Sequence, residues 1–251
     1  MIDNCGVIVF QKFNLRVISL ILIGVVSFPL SVQAQTLDFI HSLSVTNSLF
    51  DKFNQDPKGN TLAVIVLIGM IISLVYVGLG YVMGRRFRIF NLPDWAIPVM
   101  AIIGLGVALY LTFIEITKTP GVCGPIGNCN SVQESPYAYL FGIIPIGVLG
   151  AAGYLIILIA WCLRRFGQKN WNKFLTFCLW GFALFGTLFS IYLTFLEPFV
   201  IGASCIWCLS SAILMTIILL TTTGQVVAYS SINIDDEYSI DNYEEVEQLG
   251  N

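Results

Sequence analysis

The chain has 251 residues, of which 57% are hydrophobic and only 11% charged, with a mean hydropathy of +0.83. A soluble domain carries roughly 25% charged residues, so this composition excludes an ordinary water-soluble enzyme and points to a bilayer as the solvent. Nothing points to nucleic acid, because the few Lys and Arg sit at the edges of apolar windows rather than on a basic face.

Residues 1–34 have the form of a secretory signal or N-terminal anchor. Lys12 and Arg16 precede the apolar run Val17–Phe28, and Val32-Gln33-Ala34 places small residues where a signal peptidase reads. A polar extracytoplasmic segment, 35–60, follows. Four apolar windows then come in order at Thr61–Met83, Ile97–Thr117, Tyr137–Leu163 and Phe174–Leu196, and a fifth runs from Ala203 to Ala228. Crossing the hydrocarbon takes about 20 such residues. Backbone in lipid must bond to itself, so each window is predicted to be a helix. The expected fold class is therefore an all-α integral membrane protein: a four-helix core over 97–228, with an extra N-terminal span at 61–83. The tail 229–251 carries seven acidic residues and no Lys or Arg, and its composition predicts a disordered, solvated segment.

Charge bias orients the spans. Arg85, Arg86 and Arg88 follow the first full span, and Arg164, Arg165, Lys169 and Lys173 lie between the third and fourth. The positive-inside rule makes both clusters cytoplasmic. The loop Lys118–Ser135 and the link Pro198–Ser204 then face the periplasm, or the lumen of a thylakoid. The expected setting is a multi-pass protein of a bacterial inner or thylakoid membrane.

This orientation sorts the seven cysteines. Cys5 lies before the signal core. Cys162 and Cys178 fall near cytoplasmic ends and are read as small apolar fillers. Cys123, Cys129, Cys205 and Cys208 all fall at the outer face, where disulfides persist. Cys205-Ile206-Trp207-Cys208 opens the last span, with Ser204 as the expected N-cap. Residues three apart share a helix face, and the positive end of the helix favours thiolate. Thiolates are the species that attack disulfides. Cys123 and Cys129 flank Gly-Pro-Ile-Gly-Asn, a loop able to bend toward the helix pair or toward an outside partner. Two exchangeable pairs at one surface make an electron relay. The alternatives are a non-catalytic membrane protein with static external disulfides, and an outward-facing thiolate metal site. Against the metal site, the only histidine is His41, and no His or acidic cluster accompanies the loop.

Residues 97–228 resemble the vitamin K epoxide reductase family in its bacterial form. The resemblance rests on the four-span core, Cys123 and Cys129 six apart, Ser135 six further on, Phe141-Gly142 with Pro145 soon after, and Cys205-x-x-Cys208 opening the final span. It implies that Cys208 is the sulfur nearest a quinone, that Cys205 exchanges with Cys129, and that Cys123 meets the partner protein. It also places Ser135 and Phe141 at the quinone or its entrance. The implied activity is that of a quinone-dependent thiol-disulfide oxidoreductase supporting disulfide formation. Its acceptor is ubiquinone, menaquinone, phylloquinone or plastoquinone, and no metal or flavin is implied. Many bacterial members carry a fused thioredoxin-like domain. Here the acidic tail follows Ala228, so the expected partner is a separate thioredoxin-like or DsbA-like dithiol protein. Ala138 and Ala212 stand where vertebrate members use Asn and Tyr to bind the quinone head, which favours quinone over vitamin K epoxide.

Four further features carry expectations. Ser135-Pro136 predicts a helix start at the membrane surface, with Tyr137 and Tyr139 at headgroup level. Glu115 and Glu197 end two spans and are expected at the interface, with a proton-relay role in quinone reduction as the alternative. Gly147, Gly150 and Gly153 are expected to let helices approach closely. Trp207 either shapes the quinone pocket or anchors the interface.

Overall fold

Hydrocarbon offers backbone amides no water, and the described residues meet this constraint with five long helices. A computed structural model describes residues 50–83, 92–124, 127–140, 142–167 and 172–249 (backbone only at 81–83 and 228–249). The signal-like segment, the cluster Arg85, Arg86 and Arg88, Lys169 and Phe141 lie outside the described residues. Helix α1 spans Pro57–Met83 and α2 spans Ala96–Thr117. A short α3, Cys129–Gln133, lies in the loop that follows. Helices α4, Ile146–Phe166, and α5, Asn172–Leu196, come next, and α6 starts at Ile206. Five of these are long and apolar enough to cross a membrane, and the chain is an all-α integral membrane protein.

Helix α1 starts earlier than its apolar window because Asp56-Pro57 is a strong start signal. The Asp56 carboxylate accepts the Gly59 N–H at 3.2 Å, and Pro57 occupies a position whose N–H has no helical partner. The third span starts later than its window. Pro136–Ala138 forms one 3-10 turn, and Tyr139–Leu140 pairs antiparallel with Ile144–Pro145 through a turn in which Gly142 has φ +71°. The helix predicted at Ser135-Pro136 is thus a single turn, and α4 begins after Pro145. At the other end of the chain the α6 backbone is helical through Leu249, where composition alone predicts a disordered tail. No Pro or Gly interrupts the run between Gln225 and Leu249.

Helices α2, α4, α5 and α6 form the core bundle, and α1 lies against α5 and α6. Its centre is made by Ile97, Ala101 and Ala108 of α2, Tyr154 and Ile157 of α4, Leu179 and Ala183 of α5, and Ile218 and Leu219 of α6. The starts of α1, α4 and α6 meet the ends of α2 and α5 at one end of the bundle, and all four residues of the two cysteine pairs lie there. Cys162 is exposed on the outer surface of α4 rather than filling the core, because its face turns away from the neighbouring helices.

At the opposite end a polar staple joins three helices. Asp94, just before α2, pairs with the Arg164 guanidinium from α4 and accepts from Gln225 Nε2 of α6 at 2.8 Å and from Trp161 Nε1 at 3.2 Å. Arg164 also donates to Gln225. Its side chain is only 10% exposed, so Asp94→Ala leaves a mostly buried cation with one partner fewer. Asp94 is itself 44% exposed, and solvent screening tempers the loss. We expect about 1–2 kcal/mol of destabilisation, read as a lower thermal midpoint in detergent, with less effect from Asp94→Asn.

Candidate active site

The site is assembled where α5 turns into α6. Pro198 has no N–H to continue the α ladder, and Glu197–Ile201 winds as a π turn. Gly202 and Ala203 both donate their N–H to Glu197 O, at 2.8 and 3.2 Å. Gly202 closes the turn at φ +85°, a conformation that a side chain resists. Ala203, Ser204 and Cys205 then lead into α6 without regular secondary structure. The Cys205 N–H is held by the Glu197 carboxylate at 3.1 Å.

Cys205, not Ser204, stands in the capping position, one residue before the first helical residue, Ile206. Its sulfur accepts the Cys208 N–H at 3.4 Å. Ser204 Oγ turns away and donates to Asn60 Oδ1 at 2.9 Å. The Cys205 thiol lies below the ordinary cysteine range, first because the Cys208 thiol donates to it. The amides of Cys208 and Trp207 and the Gln133 side chain act in the same direction, while burial opposes them.

The loop pair reaches this elbow through two constraints. Asn128 N–H donates to Ser204 O at 2.9 Å, which joins the residue before Cys129 to the residue before Cys205. Gly127 makes the approach possible: it has φ +91°, and a Cβ there would sit 2.5 Å from Ser204 O. Cys123 and Cys129 are disulfide-bonded, and Cys205 and Cys208 are free. Cys129 and Cys205 are both 0% exposed and share one buried cluster with Leu111, Ile114, Val132 and Ala203, against which Cys123 and Cys208 pack. The four sulfur-bearing residues are thus brought together.

Beside them lies a cavity of about 300 Å³ among α2, α4, α5 and α6. Cys208 lines it, together with Glu115, Glu197, Tyr154, Ser211 and Ala212. Its rim includes the exposed residues Ala152, Ile156, Phe182 and Phe185, so it opens sideways between α4 and α5. Gly150 and Gly153 face this hollow. Of the three spaced glycines, Gly147 makes the close helix approach, since a Cβ there would press on Thr112 N at 2.6 Å.

Ser135 and Trp207, also singled out from sequence, fall elsewhere. Ser135 Oγ donates to Val132 O at 2.7 Å in the loop and does not line the cavity. Trp207 turns toward the loop as well. Its Nε1 donates to Val122 O at 3.0 Å and its ring lies 5.0 Å from that of Tyr110, so it steadies the strap that carries Cys123. Glu115 and Glu197, expected at the interface, are 5% and 2% exposed, each with its carboxylate held by a backbone N–H, of Gly147 and Cys205 respectively.

A profile of the Vitamin K epoxide reductase family matches residues 95–223. The chain belongs to this family. The match runs from Trp95 at the start of α2 to Thr223 in α6, and so covers the bundle, the loop pair and the C-x-x-C. The chain is also similar to the thiol-disulfide oxidoreductase LTO1 of Arabidopsis thaliana, with 32% identity over 113 residues. That similarity covers 42% of this chain and 29% of the plant protein's length.

One contributor lies outside the family match. Asn60, at the start of α1, is 0% exposed. Its Nδ2 donates to Phe53 O at 2.9 Å and to Gly202 O at 3.2 Å, while its Oδ1 takes the Ser204 hydroxyl. Lys52 donates to Val200 O one turn away. The extra helix therefore braces the elbow that presents Cys205. An isolated Asn in a polar run carries no periodic signal, and sequence reasoning had no means of finding it.

Proposed function

We propose that the chain is a membrane thiol-disulfide oxidoreductase that passes electrons from an outside dithiol protein, through two cysteine pairs, to a quinone. The observation that carries this reading is the placement of Cys208. It packs with the other three cysteines and also lines an apolar cavity open sideways between α4 and α5. A volume of about 300 Å³ lies at the lower end of small-molecule pockets, enough for a quinone head with its tail left in the bilayer.

The relay runs in three balanced exchanges. A dithiol protein reduces Cys123–Cys129 through the partly exposed Cys123 and leaves with a disulfide. Cys129 thiolate then attacks Cys205 of the Cys205–Cys208 disulfide, and Cys208 departs as the reduced sulfur. Attack of Cys123 on Cys129 closes the loop disulfide and frees Cys205. Finally the helix pair returns to a disulfide as two electrons and two protons pass to the quinone. The capping position favours Cys205 as thiolate in this sequence. Under this reading the cysteine-bearing end faces the periplasm or lumen, in line with the basic residues at the other end.

Reconstitution in vesicles with a quinone and a thioredoxin-like dithiol tests the proposal. Quinone reduction is expected in the parent protein, in Cys162→Ser and in Cys178→Ser, but not in Cys205→Ser or Cys208→Ser. Equal activity in all four variants sinks it.

A further inference from the structure

Reducing a quinone takes two protons as well as two electrons, and the apolar cavity holds few groups able to deliver them. We propose that Glu115 is the proton donor to the quinone and that it is recharged through a separate polar pocket on the cysteine-bearing face. The inference rests on the quinone reading above and assigns a residue to its protons.

Three observations carry it. First, Glu115 lines the same cavity as Cys208. Second, a second hollow of about 310 Å³, lined by Lys118, Thr119, Asn130, Gln133 and Glu134 among others, also reaches Glu115. Of the residues lining the two hollows, Glu115 is common to both. Third, its carboxyl is held in place, with Oε2 accepting the Gly147 N–H at 2.9 Å at the start of α4. Lys118, Thr119 and Glu134 are exposed, so the second hollow is open to water. Tyr139 also lines the second hollow and donates to Glu115 O at 3.1 Å. Glu197 lines the first cavity too, with its own Oε2 accepting the Cys205 N–H, but it is not among the residues that line the second hollow.

The chemistry balances as follows. Cys205 enters as thiolate, its proton already lost. Cys208 enters as thiol. The Cys205–Cys208 bond forms, two electrons pass to the quinone, and one quinone oxygen receives the Cys208 proton. The other receives the Glu115 proton, and the carboxylate is reprotonated from water in the polar pocket.

The test separates two half-reactions of the full-length protein in detergent. One is oxidation of the reduced Cys205–Cys208 pair by a short-chain ubiquinone, followed in single turnover by a thiol-alkylation gel shift. The other is reduction of the oxidised protein by a thioredoxin-like dithiol. Glu115→Gln keeps an oxygen for the Gly147 N–H. It is expected to slow the quinone half-reaction at least about tenfold, within the range of general acid catalysis, and to change the thiol half-reaction less than about twofold. Glu115→Asp is expected to recover part of the loss. Thr119→Trp fills the polar pocket from an exposed position and is expected to slow the quinone step several-fold with the carboxylate intact. It also decides the matter should Glu115→Gln fail to fold. A parent protein whose helix pair is not oxidised by quinone refutes the quinone reading itself. A parent protein that is oxidised, with Glu115→Gln or Thr119→Trp as fast, overturns the proton path alone.

Discussion

Cys208→Ala is expected to abolish quinone reduction, by about a thousandfold or more, and to leave a covalent bridge between Cys129 and Cys205. Both effects follow from one geometry. Cys208 is the cysteine that lines the cavity, so its loss removes the sulfur that meets the acceptor under the proposed function. Cys205 retains its place at the helix start and its buried contact with the loop pair. With no Cys208 to close a helix disulfide, the Cys205 sulfur is left to attack Cys129 and release Cys123 as a thiol. Peptide mapping without reductant reads the bridge, and alkylation reads the liberated Cys123. The double variant Cys123→Ser, Cys208→Ser sharpens the result, because Cys129 and Cys205 are then the remaining partners at this end. A bridge between Cys123 and Cys205 instead, or no bridge under oxidation, contradicts the assigned order of exchange.

The second large effect is expected at Asn60, outside the family match. Asn60→Ala deletes two donated bonds and one accepted bond at a site with 0% exposure. Gly202 O and Ser204 Oγ then lose a partner in a place that water does not reach. Unsatisfied buried groups cost about 1–3 kcal/mol each, and about 2–4 kcal/mol is expected here. Exchange between the two pairs is expected to slow along with the loss of stability, because Ser204 also receives Asn128 N–H from the loop. A double-mutant cycle with Ser204→Ala isolates the hydroxyl–amide bond from the rest. Two losses that simply add, or an unchanged thermal midpoint in Asn60→Ala, show that the brace is idle.

Much of this architecture could be read directly from residues. Long apolar windows announce membrane helices because lipid admits little else, and α2, α5 and the start of α6 fall within a few residues of where hydropathy puts them. The two cysteine pairs were legible for a related reason: counting spans carries Cys123, Cys129, Cys205 and Cys208 to one end, and folding adds only their mutual contact. What escaped depends on direction rather than position. Whether Glu115 meets headgroups or a cavity turns on which face of α2 packs against Gly147. Whether Trp207 lines that cavity or faces the strap turns on its rotation about α6. The capping position moved from Ser204 to Cys205 because Pro198 inserts a π turn and Asn60 claims the serine hydroxyl, two long-range facts with no local signature. Asp94 was passed over in the same way, since its pairing with Arg164 joins the turn before α2 to a distant residue of α4.

The burial of Cys129 and Cys205 has one more consequence. Both are sealed from water, Cys123 meets the outside only in part, and Cys208 lines the cavity that opens sideways. Under the proposed relay, such a conductor has terminals at its two ends and insulation between them. Small soluble thiols and stray oxidants would then be denied a short circuit at the middle contacts, with entry by docking at the strap and exit by way of the lipid.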